Sequence, residues 1–352
     1  MNEDNAKLEK LIGHVRHRPA ALARLARTFM AQKQDALARD LCRQAVALAP
    51  DDEEVHALAA SVFNAGVPDW HFSIVRDAAR NHAYEAALRR AVTPGCRVLE
   101  VGTGTGLLAM MAARAGAGEV ITCEMNPAIA EAAREVIARN GYSDRVRVVA
   151  KHSSDLVMGI DLPAPADVFV SEIISNDMVS EHALPAVEYT VRHLVKPGAA
   201  IVPARGTVRV ALAQDTKSRR TVMGVVDGFD LSPFNVLAPQ NSAIAAGQGR
   251  VSLRSEPGDL FDFDFQSGGP FPEARSEVTL VSKGGHVNGI AQWIRLDMDG
   301  VGRFENPPQT DAQSSWGLVF YSLKRPLETE AGTRIAVCGT HDRNNLCIWA
   351  RT

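Results

Sequence analysis

The sequence predicts three consecutive parts: a short all-α segment over residues 1–66, an α/β domain built on a parallel sheet over 67–204, and an all-β domain over 205–352. Three observations carry that reading. Apolar residues recur at helical spacing in the Ala-, Leu- and Arg-rich first part, short apolar runs alternate with helical stretches in the second, and helical periodicity all but disappears beyond Pro203. At roughly 150 residues per domain, the 352 residues hold about two domains plus an accessory segment, enough chain for a sizeable core.

In the first part, Leu22, Leu25, Ala26 and Phe29, then Leu37, Leu41, Ala45 and Leu48, mark two antiparallel helices, and Pro50-Asp51-Asp52 closes the second. Shifting the register by 33 residues lays Leu25-Ala26 on Leu58-Ala59 and Phe29-Met30 on Val62-Phe63. The segment resembles one and a half tetratricopeptide repeats. Nine acidic and nine basic residues balance over 1–66, so it reads as a packing cap in preference to a peptide-binding solenoid, which needs about three repeats to stand alone.

Composition narrows the function classes. With 41 acidic against 38 basic residues the net charge is −3, which excludes nucleic-acid capture by bulk charge. Five cysteines, Cys42, Cys96, Cys123, Cys338 and Cys347, are scattered without metal-ligand spacing, so no disulfide framework and no metal site are expected and a reducing cytoplasm is the expected location. Neither an apolar signal sequence nor a run of 18 apolar residues is present, and no membrane partner is expected.

Strands are predicted at Arg97–Gly102, Glu119–Glu124, Val146–Val149 and Asp167–Val170, with helices between them, as βαβ crossovers require. Gly102-Thr103-Gly104-Thr105-Gly106 follows the first strand and opens a helix from Leu107 to Ala115, a setting where glycines let the main chain approach a ligand. Its spacing is not the G-x-G-x-x-G of a dinucleotide site, and the acid Glu100 stands directly behind it in the strand, an arrangement similar to the first motif of S-adenosylmethionine enzymes. Glu124, with Met125 beside it, ends the next strand where a carboxylate can accept from both ribose hydroxyls, a placement shared with NAD enzymes. His152 and Ser153 follow the third strand, where the adenine edge would be met, and each singly is as well read as a loop cap.

After the fourth strand, Glu172 and Glu181 stand nine residues apart at the carboxyl end of the sheet. With Asp77-x-x-Arg80-Asn81-x-x-Tyr84 upstream and the glycine loop between, the chain from about Trp70 onward resembles the protein arginine methyltransferases. Gly104–Met111, Asn140–Asp144, Ala183-Leu184-Pro185 and His193-Leu194-Val195 are most similar to the tandem-module, monomethylating branch. The resemblance implies an α/β Rossmann-like methyltransferase domain followed by an all-β barrel domain. It implies S-adenosyl-L-methionine bound by Arg80, Glu100, Gly102, Thr103, Gly104, Gly106, Glu124, Met125, His152, Ser153 and Glu172, and an arginine-containing protein or peptide as substrate. Glu172 and Glu181 become the catalytic pair. A guanidinium is a planar fork of donors that stays cationic, so paired carboxylates can fix which nitrogen faces outward. They also offset the repulsion between guanidinium and sulfonium, roughly 4 kcal/mol at ~4 Å and an effective dielectric of about 20.

Trp70, Phe72, Tyr84, Ser315 and Trp316 complete the expected substrate pocket, with Trp70-His71-Phe72 as a lid. Ser314-Ser315-Trp316 matches the family's Thr-His-Trp turn with serine in place of histidine, and Trp316 is equally well read as barrel core. Residues 215–247 correspond to the family's dimerisation arm, which implies a homodimer. Asp259–Phe265 alternates acidic and aromatic residues, a solvated strand face in preference to a docking strip for Arg-rich peptides. Two alternatives stay open: a small guanidino or amine metabolite as acceptor, and a degenerate fold that only binds.

Overall fold

The computed structural model describes residues 11–217, 223–245, 247, 249–308 and 314–351. Two compact units divide the chain between His71 and Phe72.

The described residues of the first unit are helical over 11–15 and form the helices α1 (Pro19–Ala31), α2 (Asp35–Leu48) and α3 (Glu53–Phe63). Pro19 opens α1 at a position where its missing N–H costs nothing. Asp52 caps α3 by accepting from Glu54 N at 2.9 Å and Val55 N at 3.2 Å, with Glu53 and Glu54 in the first turn to complement the helix dipole. Leu22, Ala26, Phe29, Leu41, Ala45, Val55 and Val62 form its core. A short helix, α4 (Trp70–Ile74), spans the division.

The second unit begins with α5 (Ala78–Ala91) and continues through β1 (Arg97–Val101), α6 (Leu107–Arg114), β2 (Glu119–Cys123), α7 (Pro127–Arg139), β3 (Val146–Val149), β4 (Ala166–Ser171), α8 (Ala183–His193) and β5 (Val195–Val202). The five strands are parallel in the order β3-β2-β1-β4-β5. Strand order reverses direction at β1, and the crevice between the carboxyl ends of β1 and β4 is where an open α/β sheet receives a ligand.

An antiparallel sheet follows, running β10 (Val251–Leu253), β6 (Arg205–Asp215), β12 (Ala274–Asp297), β14 (Leu318–His341) and β15 (Leu346–Arg351). Beside this path, β9 (Asn241–Ile244) pairs with β14, β11 (Gly258–Asp264) with β6, and β13 (Arg303–Glu305) with β12. The hairpin β7 (Val225–Val226) and β8 (Phe229–Asp230) stands apart. Parallel sheet and barrel share one apolar core, from Val98 and Phe169 to Ile290 and Ile294, so they are held as one body.

The expected alternation over 259–265 is broken. A bulge between Asp259 and Phe261 buries Leu260 and Phe261 in succession, and the flanking aspartates are engaged. Asp259 pairs with Arg209 and Arg295, and Asp262 and Asp264 with Arg205, so the strip is an ion-pair ladder and not a merely solvated acidic face.

Candidate active site

The glycine loop is packed from below and open at its middle. Gly102 N and Thr103 N both donate to Cys123 O, at 3.0 and 3.1 Å, tying the loop to the end of β2. Gly102, Gly104 and Gly106 lie at φ +86°, +51° and +82°, a region that penalises any Cβ. A Cβ on Gly102 would sit 2.5 Å from Ile173 Cγ2 and one on Gly106 2.9 Å from Ile137 Cδ1, whereas nothing lies within 4 Å of that position at Gly104.

Three acids surround this cradle in different states. Glu100 faces Thr122 across the β1–β2 ladder and accepts its Oγ1 at 2.6 Å, and Thr103 Oγ1 completes the chain at 2.7 Å. Burial pushes the Glu100 carboxyl up to about 8, against the Thr122 hydrogen bond and the charge of Arg80. Glu124, one residue past β2, is fixed by main-chain donors, Asn126 N at 2.9 Å and Gly104 N at 3.2 Å. Glu172 follows β4, and burial pushes it up to about 7, with Arg80 opposing and Glu181 adding to the rise.

Arg80 connects the sides of the crevice. Asp77 caps α5 by accepting from Arg80 N at 3.0 Å, and one turn in, Arg80 Nη2 donates to Glu172 Oε2 at 2.6 Å with both side chains about 95% buried (5% and 6% exposed). Its Nη1 donates to Asn81 Oδ1 at 2.7 Å, its guanidinium lies 5.2 Å from the centre of the Tyr84 ring, and its Nε is buried without a partner among the described residues. Tyr84 donates its hydroxyl to Ser171 O at 3.0 Å, pinning α5 to the residue before Glu172.

The loop carrying the two glutamates is strained and knotted. Met178, Glu181 and His182 lie at φ +73°, +65° and +59°, unusual for side-chain-bearing residues and concentrated in one segment. Asp177 ties it down, accepting from Val179 N at 3.2 Å, Ser180 N at 2.9 Å and the hydroxyls of Ser175 and Ser180 at 2.6 and 2.5 Å. Glu172 is inside and Glu181 exposed, so the pair straddles the loop's inner and outer faces.

The barrel meets this loop from the other side. Trp316 is buried, donates Nε1 to Ile174 O at 2.8 Å and packs on Phe304, so it is core and loop support at once. Ser314 Oγ and Ser315 N donate to Asp77 Oδ2 at 2.9 and 3.2 Å, while Ser315 Oγ is buried without a partner among the described residues. Asp77 therefore serves as helix cap and as anchor for a turn 237 residues away.

The structure thus brings together Arg80, Tyr84, Glu100, Glu124, Glu172, Glu181, the glycine loop, Ser315 and Trp316. Ser153 is buried at the start of a 3₁₀ turn (Ser153–Asp155), and His152 is exposed, its Nδ1 accepting from Ser154 N, which is the loop-capping reading. Met125 and Phe72 are exposed, and Trp70, in the first unit, stacks on His71. Sequence reasoning missed Thr122, Asp177 and Gln292, whose Nε2 donates to Asn176 O at 2.9 Å. For Thr122 the signal was available, since it sits level with Glu100 once the strands are aligned.

Comparison with known proteins decides the family. Residues 85–202 match the family described as ribosomal protein L11 methyltransferase, and 5–62 match a tetratricopeptide repeat family. An arginine N(omega)-methyltransferase of Streptomyces achromogenes is 36% identical over 314 residues, covering 88% of this chain and 86% of that protein. The chain belongs to the arginine N-methyltransferase family. The family's name states its reaction, transfer of a methyl group to arginine. Protein arginine N-methyltransferase 7 of Oryza sativa subsp. indica is 33% identical over 272 residues, and the chain spans 37% of that protein's length. In fold, this arginine N-methyltransferase is similar to the Trypanosoma brucei PRMT1 enzyme–prozyme complex with AdoHcy, at TM-score 0.69 and 20% identity over 80% of this chain and 96% of that one. It is similar also to Arabidopsis thaliana protein arginine methyltransferase 10, at 0.66 and 17% over 82% and 98%. The residues present fit the cofactor: the open face at Gly104, the main-chain-fixed Glu124 and the unsatisfied Arg80 Nε are donors, acceptors and space of the kind it needs.

Proposed function

We propose that this arginine N-methyltransferase holds its acceptor guanidinium between Glu172 and Glu181 and its cofactor on Arg80, Glu124 and the glycine loop. The observation that supports the reading is the buried Arg80–Glu172 pair, in which the proposed cofactor-side cation meets the proposed acceptor-side carboxylate. When bound, S-adenosylmethionine supplies an activated methyl group on a sulfonium. Arg80 then neutralises a carboxylate and Glu124 accepts from the ribose hydroxyls. Glu172 and Glu181 orient the acceptor, localise its charge on the held nitrogens and leave a lone pair on the outward one. A Glu172 carboxyl near 7 is also poised to receive the proton released on transfer.

A protein or peptide is the first acceptor class. A small guanidino compound, free arginine included, is favoured by one specific observation: the aspartates of β11 are taken up by Arg205, Arg209 and Arg295, which leaves that strip without free charge for a basic peptide. The Streptomyces relative's name, which specifies arginine and not protein arginine, points the same way. The deciding experiment is mass spectrometry of an Arg-Gly-rich peptide and of free arginine after incubation with S-adenosylmethionine, with Glu172→Gln alongside. We expect a methyl gain on one acceptor and a turnover loss of about 10²–10⁴ in the variant with cofactor binding retained. Undiminished turnover in Glu172→Gln excludes the clamp, and absence of transfer to either acceptor returns the binding-only reading.

A homodimer is proposed on the exposed apolar residues of the arm. Val225, Phe229, Phe234, Val236 and Leu237 are all more than half exposed, and residues 218–222 and 246 of the arm lie outside the described set. Light scattering that returns a monomer mass at working concentration would remove this proposal.

A further inference from the structure

Among the buried side chains of the barrel, Gln292 is out of place. It lies near the C-terminal end of β12, level with Val210 of β6 and Val319 of β14, and shares its strand face with Ile290 and Ile294. All three same-face residues are fully buried, so an amide stands in the middle of an apolar surface. Its Nε2 donates to Asn176 O at 2.9 Å, and its Oε1 is buried with no partner among the described residues. An amide half satisfied in apolar surroundings is a poor source of stability, because the stranded oxygen keeps its desolvation cost. An apolar side chain of the same length would fill the space without that cost.

What the amide does supply is direction. Asn176 lies between Glu172 and Glu181, two residues ahead of the first left-handed position at Met178. Trp316 already fixes Ile174 O from the barrel and Asp177 knots the far half of the loop, so the Gln292 bond falls between these two fixed points. We infer that Gln292 is a positioning residue of the transfer site, holding the main chain at Asn176 so that Glu172 and Glu181 keep their mutual placement. The inference rests on the glutamate clamp proposed above.

The test is Gln292→Met, which conserves volume and removes the donor, measured in the full chain for kcat, acceptor KM, cofactor Kd by calorimetry, and Tm. The expected result is a fall in kcat of about tenfold, with cofactor Kd within about twofold and Tm unchanged or raised, because Arg80, Glu124 and the glycine loop are untouched and an unsatisfied oxygen is gone. A core defect would instead lower Tm, cofactor affinity and kcat together, and that pattern overturns the inference, as does an unchanged kcat. Gln292→Leu carries the same test if the first variant does not fold; failure of both makes Gln292 a determinant of folding and overturns its assignment as a positioning residue. Failure of the clamp itself is read separately, from turnover in Glu172→Gln. If the clamp fails while Gln292→Met still loses kcat alone, the loop matters for some other reason and the placement of the glutamates is not what Gln292 sets.

Discussion

Carboxylates and arginines meet in two regions of this molecule, and the proportion between them differs. On the barrel, Asp259, Asp262, Asp264, Asp297 and Glu305 interleave with Arg205, Arg209, Arg295 and Arg303, nearly one arginine to each acid. Burial raises Asp259, but Arg209 and Arg295 together outweigh it and hold the carboxyl below its ordinary value. At the carboxyl end of the parallel sheet, buried Glu100 and Glu172 share Arg80, and both are pushed far above the ordinary carboxylate range. A matched ladder spends its charge internally. An under-matched, water-poor cluster is left able to gain from one more cation, and a guanidinium acceptor is such a cation.

The comparison breaks most directly at Arg80. Arg80→Met leaves two buried carboxyls with no cation between them, so both should move further up and bind protons at neutral pH. Cofactor affinity should fall by about 100-fold, within the roughly 2–5 kcal/mol that removing one partner of a buried, hydrogen-bonded charge pair costs a complex. Because Glu172 must be ionised to hold a guanidinium, kcat/KM in the wild type should rise with pH through about 7. In the variant that acid limb should shift to higher pH. A limb that stays in place would mean that some other group controls ionisation.

How far the sequence foretells these two regions follows from distance along the chain. The glycine loop, Glu100 and Glu124 are legible because strand, turn and helix are contiguous and each fixes the next. The paired glutamates are legible because their loop follows a strand end. The contacts that hold the site are not: Ser314 on Asp77, Trp316 on Ile174 and Gln292 on Asn176 join residues more than a hundred positions apart. Nothing local distinguishes Gln292 from a polar residue on a solvated strand face, since its burial depends on which sheet covers it. The aspartates of 259–264 are exposed, as a solvated strand face requires, but their pairing was illegible for the same reason, because their arginine partners come from β6 and β12. Phe72, placed in the expected pocket by the resemblance, is exposed.

Stability against pH separates the two regions by sign. Glu100 has a folded-state value of about 8 against an ordinary 4.5, so the folded protein binds the extra proton over that window and stability falls as pH rises through it. At roughly 1.4 kcal/mol per pKa unit, the loss is of the order of a few kcal/mol. Glu100→Gln cannot titrate, so denaturant unfolding should find it progressively more stable than wild type as pH rises from about 4.5 to about 8 and nearly equal to it below. Asp259 is the opposite case. Its lowered carboxyl contributes stability that is present above the ordinary 3.8 and lost as pH falls below it. Its side chain is 45% exposed, so solvent screening leaves Asp259→Asn a loss of at most about 1 kcal/mol at pH 7, which should vanish on acidification. Two variants with the same change of charge would then move apart as pH rises, one gaining on wild type and the other falling behind it. Parallel curves would show that arginine matching does not set the state of these acids, and the contrast between ladder and site would have to rest on burial alone.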